Sequence, residues 1–187
     1  LLAEKNTGFN FPKRMRQHNG EMYLSDTNNH RVVFIEQEND NFGDMTQDHK
    51  TVTSKNNIAK WTLDSIPFNG SWWVLNAGNG MENTKLMRFG QNWEYIETID
   101  LPDDAEPADL IVNSENLLVT DRALGVIYQF DKHGDNFTQV LLPEVSRYFK
   151  EMDKKRAYYN NLMNLSNIIL LVMFVLGGIL GVWFSKR

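Results

Sequence analysis

The sequence predicts a mostly β protein: a head of tandem four-stranded units, followed by one long C-terminal helix that includes a transmembrane span. Three observations predict it. A stretch of 25 residues recurs without a gap at an offset of 95, with a looser copy between the two. Hardly any long apolar run occurs before residue 165. The one that then appears, residues 168–184, holds 17 residues without a charge.

The first copy runs from Pro12 through Met22-Tyr23-Leu24-Ser25-Asp26 to Glu36, and the second from Pro107 through Leu117-Leu118-Val119-Thr120-Asp121 to Asp131. Met15 matches Leu110 and Val32 matches Ile127. In the middle copy Ser71-Trp72-Trp73-Val74-Leu75-Asn76 takes the place of the strand, and Lys85-Leu86-Met87-Arg88-Phe89 follows after a longer turn. The step is thus 45 to 50 residues, with short apolar strands between Gly, Asn and Asp turns. That period, with about four strands per unit, is the mark of propeller blades. A strand such as Leu117–Thr120 is apolar enough to be buried on both faces. The Asp that closes it accepts hydrogen bonds from turn amides and fixes the reversal into the next strand. Asp26, Asn76 and Asp121, with Pro12 and Pro107, are therefore the expected structural residues of the blade turns. Phe137 to Leu142 is the expected outer strand of the last unit.

Gly20 to Val32, with Pro12 before it and Asp26-Thr27-Asn28-Asn29-His30-Arg31 inside it, resembles an NHL repeat: a proline, a strand ending in Ala/Ser-Asp, then Thr-x-Asn-His-Arg. The copy at Pro107 keeps the proline, the strand and Asp121 but has Ala-Leu-Gly for Asn-His-Arg. The middle copy keeps only the strand pattern and Asn76. The resemblance covers residues 8–142 as three blades and implies a partial β-propeller; NHL propellers usually have six blades. Three blades do not close a ring, so either further blades precede this stretch or a partner covers the open edges.

After Pro143, a continuous helix is expected from residue 144 to 185. Residues 144–165 form a polar juxtamembrane stalk and 166–185 the transmembrane segment. Trp183 stands where an interfacial aromatic belongs, and Lys186 and Arg187 reach the headgroups. Gly177, Gly178 and Gly181 give a small-xxx-small surface for another helix.

Composition narrows the function. With 187 residues, a net charge of −5 and no Lys/Arg cluster in the head, nucleic acid is not an expected partner. The absence of cysteine excludes disulfides, thiolate metal sites and a cysteine nucleophile. No pair among His18, His30, His49 and His133 has metal-ligand spacing. Asp26 and Asp121 recur at one blade position, as a structural residue does and a catalytic one does not. No catalytic, cofactor or metal residue is therefore expected. Trp61, Trp73 and Trp93 on the head, and Phe149 and Tyr159 on the stalk, are the expected partner surface. The reading is a non-enzymatic, single-pass membrane module, an accessory subunit of a membrane protein complex. The alternatives are a propeller hydrolase or lyase with its site in other blades, or a ligand-sensing ectodomain. Arg147, Lys150, Lys154, Lys155 and Arg156 before the span outnumber Lys186 and Arg187 after it, which favours a cytoplasmic, tail-anchored head. The terminal pair abuts the bilayer more closely, however, and the family resemblance favours the extracytoplasmic, periplasmic side, which is the expectation adopted.

Overall fold

The computed structural model describes residues 8–37, 40, 42–52, 59–113, 115–131, 133–134, 136–140 and 143–185, the side chains of 146, 149 and 177–185 excepted. The chain divides into two compact units, Leu1–Leu142 and Pro143–Arg187.

The head consists of three four-stranded antiparallel sheets, each in sequence order. The first blade has β1 (Pro12–His18), β2 (Glu21–Asp26), β3 (Arg31–Ile35) and β4 (Met45–Lys50). The second has β5 (Trp61–Phe68), β6 (Ser71–Ala77), β7 (Lys85–Phe89) and β8 (Tyr95–Thr98). The third has β9 (Pro107–Asn113), β10 (Asn116–Asp121), β11 (Val126–Phe130) and β12 (Phe137–Val140). The expected strands of the repeat are all present, and β12 ends within the segment expected for the outer strand.

Local chemistry sets each blade. Asn19-Gly20 and Asn69-Gly70 both have positive φ (51° and 84°, 46° and 73°), the conformation of a two-residue hairpin whose twist suits its strands. The first strand of each blade is a sheet edge, where a proline costs no ladder bond, and Pro12, Pro67 and Pro107 all lie there. Each first strand also carries a register shift at the same place. Pro12 opposes Asp26, Thr62 opposes Asn76 and Pro107 opposes Asp121, with Lys13, Leu63 and Ala108 as the extra residue. The repeat is thus a backbone repeat as well as a sequence one.

Side-chain alternation then stacks the blades. Tyr23, Val32 and Phe34 of the first blade pack against Trp72, Val74, Met87 and Phe89 of the second. From the other face of β6 and β7, Trp73, Leu75 and Leu86 join Leu110, Leu117, Val119, Tyr128 and Phe130 of the third. Burying one such aromatic or aliphatic side chain contributes about 2 kcal/mol, so these two interfaces hold the head together.

The second unit is one helix, α1 (Pro143–Ser185), 43 residues long. Proline suits its first turn, where no intrahelical N–H is needed, and Glu144 faces the positive end of the helix dipole. Within Pro143–Leu176 an 18-residue window reaches a mean hydropathy of 1.5 with none of it buried; Phe174, for example, is 83% exposed. At 1.5 Å per residue the helix exceeds the roughly 30 Å of a hydrocarbon core.

Candidate functional site

The first strands of the three blades lie side by side, and their charged residues meet. β1 contributes Lys13, Arg14 and Arg16, β5 contributes Asp64, and β9 contributes Asp109. Arg16 grips Asp64 with two donors, Nε to Oδ1 at 2.9 Å and Nη2 to Oδ2 at 2.6 Å. Its Nη2 also donates to the Leu110 carbonyl oxygen at 2.6 Å. Asp64, only 1% exposed, accepts two more bonds, from the Ser65 N–H (2.9 Å) and the Leu110 N–H (3.0 Å). A carboxylate offers about four lone-pair directions, and all of those on Asp64 are taken. Its role follows: it ties the three blades together and has no free acceptor with which to receive a substrate proton. The side-chain bond to Asp64 raises the affinity of Arg16 for its proton, against the opposing effect of burial. Arg14 and Asp109 form a second, half-exposed ion pair between the first and third blades. Lys13 is pushed below its ordinary range, by burial first and then by Arg122 and Arg14.

Two grooves open on this frame. One, of about 360 Å³, lies on the outer face of the first blade, with Leu24 and Ile35 as its floor and Phe9, Met15 and Phe42 at its rim. The other, of about 370 Å³, lies at the Asn19 and Asn69-Gly70 turns and is lined by polar and apolar groups alike, among them His18, Glu21, Gln91, Phe68 and Trp72. Behind Trp72 runs an aromatic stack. Trp93 lies flat between Trp72 (4.5 Å, 22°) and His49 (4.8 Å, 7°), with Phe34 edge-on to both Trp72 and His49. Trp93 adopts φ 63°, a costly conformation for a bulky residue that the sandwich holds in place. Burial lowers the proton affinity of His49, against the opposing charge of Asp48. Among the described residues, no group of three or more His, Asp or Glu side chains is placed to hold a metal ion.

The residues singled out from the sequence fall as follows. Asp26 accepts from the Asn10 N–H (2.7 Å), Asn29 Nδ2 (2.7 Å) and Arg31 Nε (2.8 Å). Asp121 accepts from the N–H groups of Glu106, Ala123 and Leu124 and from the Tyr128 hydroxyl. Asn76 donates to the Thr51 carbonyl oxygen at 3.0 Å. Trp73 corrects the expectation of a partner surface: it is 1% exposed, locked between the second and third blades. Both members of the Trp72-Trp73 pair point into interfaces, because each face of β6 meets another blade. Trp61 and Trp93 are half-buried, Trp61 edge-on to His30 at 5.7 Å. Tyr159 is exposed on α1. The helix backbone passes through Phe149, Gly177, Gly178, Gly181 and Trp183; the surroundings of these positions, like Lys186 and Arg187, lie outside what the structure describes.

With this geometry in hand, the likeness to known structures is one of fold. The chain resembles virginiamycin B lyase of Staphylococcus aureus with a TM-score of 0.51 and 14% identity, over 71% of this chain and 41% of that one. A catalytically inactive variant of the same lyase, with quinupristin, matches at a TM-score of 0.48 and 15% identity over the same shares. This chain is a partial β-propeller. It spans about 41% of the length of the lyase it resembles, and at 14% identity the likeness carries no activity across. No protein-family model and no curated protein matches the chain, so the NHL resemblance rests on the residues quoted for it, Pro12 and Gly20 to Val32 above all.

Sequence reading missed Arg16 and Asp64. A signal existed: β1 reads Pro-Lys-Arg-Met-Arg-Gln-His, with three cations on one short strand. Such a run on a sheet edge has to meet carboxylates from neighbouring blades or water, and Asp64 is one of those carboxylates.

Proposed function

We propose that the chain is a membrane-anchored, non-enzymatic propeller module, an accessory or scaffold subunit of a membrane protein complex. The observation that carries this reading is α1, an apolar helix of spanning length whose 18-residue apolar window is wholly unburied. In water such a surface is a liability; in lipid it is satisfied. Binding is preferred to catalysis because the inner-strand charges are spent on one another. The full hydrogen-bond complement of Asp64 and the Arg14–Asp109 pair tie blades together. The NHL-like Asp26, Asn29 and Arg31 likewise bond among themselves. The head is proposed to lie on the extracytoplasmic side.

The test is expression of the full chain in cells, followed by alkaline carbonate washing, detergent extraction and mass spectrometry of what co-purifies. The chain is expected to stay in the carbonate pellet and to leave detergent with a membrane protein. Release by carbonate overturns the anchor, and a chain that always purifies alone overturns the accessory role. Protease added to intact and to opened right-side-out membrane vesicles then assigns the side, the head being cut in the intact vesicles if it faces outward.

A further inference from the structure

Where the first two blades meet, their facing side chains match in kind along most of the contact. Arg16 reaches Asp64, and the Ser25 and Ser65 hydroxyl oxygens lie 3.3 Å apart. The Thr27 hydroxyl donates to the Thr62 carbonyl oxygen at 2.7 Å, and Tyr23 meets Trp72 edge-on at 5.0 Å. At the rim beyond that ring pair the match fails. His18 and Glu21 are register partners at the end of the β1–β2 hairpin, on the same face of the first blade as Arg16 and Tyr23. Opposite them the second blade presents Pro67 and Trp72, themselves register partners on β5 and β6. Polar groups thus face an apolar wall, and the groove of about 370 Å³ is lined from both sides.

The polar groups of this groove are also unspent. Among the described residues, the side chains of His18, Glu21, Asn69 and Gln91 make no hydrogen bond or ion pair with another part of the head. That is the reverse of Asp64, every acceptor of which is taken. Gln91 is placed by its neighbour. A Cβ on Gly70 would lie 3.3 Å from its Nε2, so the glycine that the turn needs at φ +73° also leaves the amide its room.

We propose that this groove binds a neutral saccharide, with the C–H face of the sugar on Pro67 and Trp72 and its hydroxyls on His18, Glu21 and Gln91. A sugar ring has the same division as the groove, apolar C–H groups on its faces and hydroxyls round its edge. The amide of Gln91 both donates and accepts, a neutral imidazole does the same through its two nitrogens, and the Glu21 carboxylate accepts; neighbouring hydroxyls answer all three. No Lys or Arg is among the lining residues, so nothing there neutralises a phosphate or a carboxylate. Turns rather than an open strand edge bound the groove, so a peptide finds no ladder to extend. The volume suits a small ligand. Both walls belong to adjacent blades of this chain, so the site stands whatever else stacks on the head, and it is independent of the accessory role proposed above.

The test is calorimetric titration of the full chain, held in a detergent without a sugar headgroup, with maltose, cellobiose, lactose and sucrose. At least one is expected to bind with a Kd of roughly 1 mM or tighter, while inorganic phosphate and choline do not. Glu21→Ala and Gln91→Ala, both on exposed side chains, are each expected to weaken that binding about tenfold without changing the circular dichroism. Asp103→Ala, on an exposed turn outside the groove, is expected to leave it unchanged. No heat with any of the four sugars up to about 10 mM overturns the proposal. So does sugar binding that both groove variants leave intact, or phosphate or choline binding as tightly as the best sugar.

Discussion

Asp64 shows most directly how one side chain can hold three blades. It is buried, it takes four donors, and these come from β1, from its own strand and from β9. Asp64→Ala strands the Arg16 guanidinium and two buried N–H groups, a loss of about 3–5 kcal/mol. Urea unfolding followed by tryptophan fluorescence measures it. Replacing both partners, Arg16→Leu/Asp64→Leu, is expected to cost less than Asp64→Ala alone, because no charge is then left without a partner. His49 gives a residue-level pH effect. Burial against Trp93 and Phe34 lowers its folded pKa below the ordinary value near 6.5. As pH falls through that value the unfolded chain binds the proton first, so this contribution is full above it and is lost below it. The melting temperature is expected to drop between pH 7.5 and 5.5, and His49→Phe, which keeps the stack without the proton, to flatten the drop.

Elements were legible where their pattern was periodic and obscure where it was not. β2, β3, β6, β7, β10 and β11 are apolar runs ending at turn residues, and each stands out in the sequence. β4 (Met45–Lys50) does not, because an outermost strand is mostly in water and its Met-Thr-Gln-Asp-His-Lys carries no alternation. β5 was obscured by Pro67, which reads as a strand breaker until the strand is known to be an edge. Its Asn69-Gly70 turn was the available clue, a strong hairpin signal. The adjacent tryptophans show a further limit: sequence places Trp72 and Trp73 on opposite faces, but only stacking reveals that neither face is free. The turn between β11 and β12 depends on the same packing. A Cβ on Gly134, at φ +76°, would lie 2.4 Å from Cζ2 of Trp73. Gly134→Ala is expected to cost about 2 kcal/mol. Gly20→Ala, at φ +84° with nothing within 4 Å, carries the backbone strain alone and is expected to cost about half as much. Thermal melts of the two variants separate the clash from the strain.

At the scale of the molecule, the packed core and the long apolar helix occupy different parts of the chain. Every residue of the three core clusters, and every partly buried residue packed against them, lies between Met22 and Phe137. The described helix side chains up to Leu176 are exposed. The core clusters of the head and the apolar window of α1 are thus built from separate stretches of the sequence. A chain ended after Leu142 is expected to keep the β-type circular dichroism of the head and the emission of Trp61, Trp72, Trp73 and Trp93, losing only the contribution of Trp183. Its melting temperature should fall within a few degrees of the parent's, and it should move from the membrane pellet to the soluble fraction. A truncated head that unfolds would place part of the core's cover on α1, and one that stays in the pellet would give the head its own hold on lipid.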